Sequence, residues 1–484
     1  MRIARGAIAG HEVELTAAVG LVCLYLAVMS GHLLSIDGLA MWRQALAITY
    51  HGSWTFVPPI WWGSAINSSS RGVGASLQYL PSLLVFPWLS GHVPVQPAAQ
   101  YDYRLFYADV LYVVAGAPVW ALVTAVTAYL VALTTRALGL SRRQALWAMA
   151  LYGLGSPALA ASRGDWPQPL VAVCWAASTY ACLRYLSGGG RRWLWVSGIA
   201  VAYAVLTRPL EGSMTLLGPL LLLGWRMPRG WVPVASQLGA WAAGTLLTLG
   251  TNWARYGSPT SSGYELGTAQ ASWTTPIWLG VPNDLLSPGR GLLWEFPAMV
   301  IAVWGVRVLW ARGQKVEAIV LAGLPAVLFI EAATFTDWVG GWDWGLRFLQ
   351  PALPLLAVLA AAGIPALPAA LRSWLPAGAL AWGLLWNVPA VTTDILAGYG
   401  PAYADGAANW RLDAFPPIGA WRFLQHVFPS HGIDSSAVDI VWFRATLVAG
   451  KVALLPFVLL LAAAAWLWRR ALVLDERGVD RQAV

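Results

Sequence analysis

The sequence predicts an all-α polytopic membrane protein of about twelve transmembrane helices, with interfacial helices in its first outer loop. Three observations lead there. Hydrophobic residues make up 58% of the 484 and charged residues only 11%, against about 25% charged in soluble proteins. Apolar runs of roughly 16–30 residues recur from end to end. Basic residues fall in short clusters between those runs, which is how a membrane chain sets its topology. In lipid the backbone has to satisfy its own hydrogen bonds, so the spans are expected to be helices. The net charge of +8 is read as topological, and no nucleic-acid partner is implied.

The elements follow in order. Arg2 and Arg5 place the N-terminus in the cytoplasm, and the first span, about Val13–Leu34, is not followed by a clean cleavage site, so it is expected to stay in place. It exits at Ser35 into a long outer loop, 35–103. Within this loop Ser76–Leu89 is apolar but short and broken by Pro81 and Pro87, which fits helices lying on the interface. The second span, about Leu105–Thr135, is long and bends near Gly116 and Pro118. The next five cover about Ala145–Ala161, Leu170–Leu186, Trp193–Leu206, the stretch up to Trp225, and Val232–Leu249. An outer loop, 251–291, precedes spans at about Leu292–Trp310, Ala318–Ala333, Leu349–Ile364 and Leu375–Ile395. A further outer loop, 397–445, leads to the last span, about Leu447–Leu467, and a charged cytoplasmic tail.

This assignment puts Arg142-Arg143, Arg191-Arg192, Arg226 with Arg229, Arg312 with Lys315, and Arg469-Arg470 on one side with both termini. Most acids, among them Asp37, Asp165, Asp284, Asp343 and Asp439, fall on the other. Almost every basic residue is Arg, as in a GC-rich bacterial genome, so the expected location is a bacterial inner membrane. Cys23, Cys174 and Cys182 all lie in apolar segments without metal spacing and read as core residues.

One acid stands out by position. Asp37 lies just past the first span, where a carboxylate has to reach water, a cation or a reacting group. It either caps an interfacial helix beginning near Gly38 or takes a proton in chemistry at the membrane face. A phosphate-bearing substrate there would need cations near the outer headgroups, and Arg347, Arg290, Arg208 and Arg255 all fall in outer turns. Each of them also fits an interface Arg that snorkels or pairs with Asp343, Asp284 or Glu211. The Trp-rich outer loops, including Trp344, fit either stacking on a substrate or an interfacial aromatic belt. There is no His/Asp/Glu cluster with metal spacing, no Gly-rich loop followed by Lys-Ser/Thr, and no Gly-x-Ser-x-Gly elbow.

Several stretches, in consistent order from about residue 30 to 355, carry a family resemblance. They are Ser35-Ile36-Asp37-Gly38-Leu39-Ala40-Met41 with His51-Gly52-Ser53-Trp54, then Gln78-Tyr79-Leu80-Pro81-Ser82-Leu83, then Leu206-Thr207-Arg208-Pro209. Asn252 to Pro259 with Gly263-Tyr264, Leu286-Ser287-Pro288-Gly289-Arg290-Gly291, and Trp338 through Trp344-Gly345-Leu346-Arg347-Phe348 to Pro351 complete the set. The chain resembles membrane glycosyltransferases of the GT-C superfamily, in the group of protein O-mannosyltransferases and lipid A aminoarabinose transferases.

The resemblance implies inverting transfer from a polyprenyl-phosphate sugar to a hydroxyl of a glycan, lipid or protein at the outer face, with Asp37 as base. It makes residues 1–364 the catalytic module and 365–484 a set of C-terminal helices. It makes Asp165, in the turn between spans three and four, a second catalytic-site acid. Asp165 would position the acceptor or hold a divalent cation, Mg or Mn, with Asp37; alternatively it is a turn residue paired with Arg163. Arg347, Arg290, Arg208, Arg255, Trp344 and Tyr264 become substrate-binding candidates. Gly38 departs from the pattern, since many relatives carry a second acid there. Two other readings share the same composition: a flippase or transporter for lipid-linked sugars, and a glycan ligase or polymerase. A transporter would place charges deep in the spans, whereas here the ionisable residues cluster at span ends.

Overall fold

Long apolar runs leave the backbone one way to satisfy its polar groups in lipid, and helix accordingly dominates the chain. The computed structural model describes residues 11–56, 60–62, 64–66, 68–85, 111–164, 166–227, 230–261, 263, 272–340, 343–393, 408–412, 415–422 and 438–480. In chain order the helices are α1 (Glu12–Ala27), α2 (Ile36–His51), α3 (Gly74–Leu77), α4 (Leu80–Val85), α5 (Tyr112–Ala137), α6 (Arg142–Gly153) and α7 (Ala158–Ala161). Then come α8 (Gln168–Leu186), α9 (Arg192–Thr207), α10 (Pro209–Met214), α11 (Leu217–Arg226), α12 (Trp231–Tyr256), α13 (Ile277–Leu286) and α14 (Leu292–Glu295). The rest are α15 (Met299–Ala311), α16 (Lys315–Thr334), α17 (Leu353–Gly363), α18 (Ala369–Arg372), α19 (Leu375–Thr392), α20 (Val441–Ala449) and α21 (Leu455–Asp480).

The expected spans overlap helices where they are described; residues 105–110 and 394–395 lie outside the described residues. Among the described residues five segments are long and apolar enough to cross a membrane: α5, α12, α16, Arg347–Ala366 around α17, and Gly450–Glu476, which takes in most of α21. Apolar side chains such as Trp195, Trp231, Leu246 and Trp278 face outward, as lipid allows. Side chains from both ends of the chain, including Leu21, Trp175, Leu321, Leu353 and Val391, share one buried cluster.

Three local features differ from or sharpen the expectation. The first helix ends at Ala27, not near Leu34, because the chain turns through Gly31 at φ 70°. There the Met29 carbonyl accepts from the Val441 amide at 2.9 Å. The segment between α2 and α3 also holds a small hairpin, β1 (Ile60–Trp62) with β2 (Ser64–Ile66), paired Ile60 to Ile66. Finally, α5 opens with a π turn over Tyr112–Gly116, just before Pro118. Proline lacks an N–H and collides with the carbonyl a turn back, and a wider turn relieves both.

Helices approach closely where glycine allows it. A Cβ on Gly305 of α15 would come within 1.9 Å of the Leu359 carbonyl oxygen of α17. A Cβ on Gly363 would stand 2.5 Å from the Ile301 carbonyl oxygen.

Polar groups collect at the two ends of the bundle. At one end Glu14 of α1 lies 3.7 Å from Arg136 and 3.8 Å from Arg142. Nearby, Glu12 meets Arg470 at 4.0 Å, Arg312 donates to the Gly139 carbonyl at 3.1 Å, and Arg226 binds Glu317 through both carboxylate oxygens. These are the residues expected on one membrane face. The other end of α1, about 24 Å away for sixteen residues, leads to Asp37.

Candidate active site

Asp37 is placed by the cap of α2. Ser35 is the N-cap, and its hydroxyl accepts from the Gly38 amide at 2.9 Å. Asp37 therefore sits in the first turn without being the cap, where the helix dipole favours a negative charge. An aromatic cluster holds the helix. Trp42 meets Tyr79 at 5.1 Å and Tyr112 at 5.2 Å, and the Trp120 indole donates to the Tyr79 hydroxyl at 3.0 Å.

Two guanidinium groups reach the same carboxylate oxygen of Asp37. Arg71 pairs with Oδ2, and Arg347 Nη1 stands 3.5 Å from it. Arg208 adds positive charge nearby and pairs with Glu211. Burial works to raise the Asp37 carboxyl, but Arg71, Arg347 and Arg208 outweigh it and hold its pKa below the ordinary 3.8. Arg347 lies over the Trp166 ring, 4.0 Å from its centre, and 5.1 Å from the centre of Phe348, whose ring Arg208 approaches to 5.8 Å. Stacking on aromatic faces holds a guanidinium in place while leaving its in-plane donors directed elsewhere.

The backbone that carries Arg71 is anchored. Gln44 of α2 accepts from the Ser68 hydroxyl at 2.7 Å and the Ser69 amide at 3.2 Å. Arg255 donates to the Ser69 and Arg71 carbonyls, both at 2.8 Å, and to the Asn252 amide oxygen at 2.8 Å. The Tyr256 hydroxyl also donates to Ser69. The turn before Arg347 is anchored as well. Arg290 donates to the Gly345 carbonyl at 2.9 Å, and the Leu346 amide donates to Glu295 at 3.1 Å. Gly345 has φ 75°, and a Cβ there would meet the Glu295 carboxylate at 2.4 Å. Glycine is required by both the left-handed backbone and the space.

Of the residues singled out in the sequence, the structure brings Asp37, Arg347 and Arg208 together. Arg255 and Arg290 stand behind them, with the donors just named directed into backbone carbonyls and the Asn252 amide oxygen. Trp344 is fully buried in a cluster with Trp386. Asp165 and Tyr264 lie outside the described residues. The sequence reading does not single out Arg71; the signal available is an Arg in the Gly/Ser-rich run Ser68-Ser69-Ser70-Arg71-Gly72. Among the described residues no three His, Cys, Asp or Glu side chains gather as a metal site.

No family model and no curated protein matches the sequence. Among solved structures, the chain is similar to ArnT from Cupriavidus metallidurans. For the apo crystal structure the identity is 15% and the TM-score 0.48, covering 96% of this chain and 78% of that one. For the crystal structure bound to undecaprenyl phosphate the identity is 14% and the TM-score 0.47, covering 99% and 79%.

Proposed function

We propose that the chain is an integral membrane glycosyltransferase that moves a sugar from a polyprenyl-phosphate donor to an acceptor hydroxyl at the outer membrane face. The observation that carries this reading is the Asp37 carboxylate among Arg71, Arg347 and Arg208, at the end of the bundle opposite the Glu14 cluster. Three guanidinium groups gather around a carboxylate base, two of them in contact with it and the third paired with Glu211. That combination suits a phosphate leaving group next to a hydroxyl nucleophile.

In this reading the acceptor oxygen attacks the anomeric carbon from the face opposite the phosphate. The new oxygen–carbon bond forms as the carbon–phosphate oxygen bond breaks. Asp37 takes the hydroxyl proton, and polyprenyl phosphate leaves with its charge met by Arg71, Arg347 and Arg208. An incoming donor phosphate also adds negative charge around Asp37, which raises its pKa and makes it a stronger base once the donor is bound. The steps above use Asp37 and the three guanidinium groups alone; Asp165, the other ligand expected for a divalent cation, lies outside the described residues.

Twelve spans with both termini in the cytoplasm, in a bacterial inner membrane, complete the reading. The contacts joining Glu12, Glu14, Arg136, Arg226, Arg312, Glu317 and Arg470 at one end support that sidedness. The test is transfer of radiolabelled sugar from polyprenyl-phosphate sugars in membranes with and without the protein. Label reaching an acceptor only with the protein supports the enzyme. Labelled lipid that crosses the bilayer unchanged would establish a flippase instead.

A further inference from the structure

A second charged centre lies beside the first and takes no part in the proposed chemistry. Asp439 is fully buried and gathers two guanidinium groups and an imidazole. His32 Nε2 lies 2.7 Å from Oδ1, Arg444 Nη2 lies 2.7 Å from Oδ1, and Arg163 Nη2 lies 2.5 Å from Oδ2. Arg163 also donates to the Asp439 and Ala390 carbonyls. The Asp439 amide donates to the Thr392 carbonyl at 3.0 Å, so the carboxylate is fixed to the end of α19. A carboxylate with this many charge-assisted bonds is among the stiffer points a fold can build.

Two of its partners lead directly to the Asp37 site. His32 lies three residues before Ser35, the cap that starts α2, and its Nδ1 is 2.8 Å from the Leu33 carbonyl. The same short stretch is braced by Ser30, whose hydroxyl donates to the His32 carbonyl at 3.0 Å, and by the Trp442 indole, which donates to Leu26 at 3.1 Å. Arg163 lies three residues before Trp166, the ring on which Arg347 stacks. One buried carboxylate thus holds the backbone leading to both sides of the Asp37–Arg347 contact.

We infer that Asp439 and His32 are positioning residues for Asp37: the Asp439 anchor fixes the start of α2 and so the register of Asp37 against Arg71 and Arg347. This rests on Asp37 being the base, so the test includes a readout that needs no sugar transfer. His32→Ala cuts the link while leaving Asp439 between Arg163 and Arg444; His32→Leu keeps the volume and serves if the alanine variant does not fold. In the full chain in lipid nanodiscs, kcat falls about tenfold or more with donor KM nearly unchanged, the penalty expected of a small misplacement. His32→Gln, whose amide N–H can reach Oδ1, restores part of it. Labelling of Asp37 by dicyclohexylcarbodiimide at pH 5, read by mass spectrometry, rises in His32→Ala. A carboxyl loosened from its arginines is protonated more often, about tenfold per pKa unit. The inference is overturned if the variant loses only thermal stability while kcat and Asp37 labelling stay at wild-type values. If labelling rises but wild type transfers no sugar, the positioning stands and the glycosyltransferase reading fails.

Discussion

At neutral pH Asp37 is a carboxylate because the charge of Arg71, Arg347 and Arg208 outweighs the effect of burial. The sign of its pH dependence follows. The depressed carboxyl stabilises the fold fully above the ordinary value of 3.8. That contribution is lost as pH falls through the lower folded value. Removing a cation moves the folded value back up. Arg71→Gln is therefore expected to shift the acid limb of kcat/KM, which reports the free enzyme, to higher pH. Arg255→Ala should reproduce part of that shift by loosening the Ser69 and Arg71 carbonyls it holds, and the double variant should be no worse than the sum of the two. These residues also mark what a sequence can carry. Asp37, Arg347 and Arg208 were legible as charges at span exits, where a lone charge is costly. Whether such a charge meets a substrate or a carbonyl depends on a partner distant in the chain. Arg255 and Arg290 carry the same signal as Arg347 and point into the protein, while Arg71 carries almost none.

At the scale of elements, apolar run length located the helical segments, five of which are long and apolar enough among the described residues to cross a membrane. Run length did not locate helix ends set by tertiary contacts. The first span runs on in hydropathy to Leu34, but the helix stops at Ala27 because Met29 and His32 are bonded to the segment at 439–441. The irregular turn that opens α5 was legible, since Gly116 and Pro118 act locally. Close helix crossings were not, because a glycine that faces a backbone reads like one that faces lipid. Gly305 tests the point. The Cβ added by Gly305→Ala meets the Leu359 carbonyl at 1.9 Å, so α15 and α17 have to separate. A loss of about 1–3 kcal/mol is expected, seen as a lower Tm in detergent. An unchanged Tm would mean that the two helices do not meet there.

For the whole molecule, the account requires two chemically different faces. Arg136, Arg142, Arg226 and Arg312 share one end with Glu14 and Glu317, and Asp37 and Asp439 lie at the other. In a chain with Cys23, Cys174 and Cys182 replaced, Ser53→Cys should react with a membrane-impermeant maleimide on intact cells. Gly313→Cys should react only after lysis. The reverse pattern would put the site on the cytoplasmic face and exclude an outer-face donor. The most direct measurement is turnover of the Asp37→Asn protein, set beside its affinity for polyprenyl phosphate in the same nanodiscs. The account predicts that transfer falls by about 10²–10⁴, the usual contribution of a general base, while the lipid phosphate still binds through Arg71, Arg347 and Arg208. Transfer at the wild-type rate by a folded Asp37→Asn protein would contradict it.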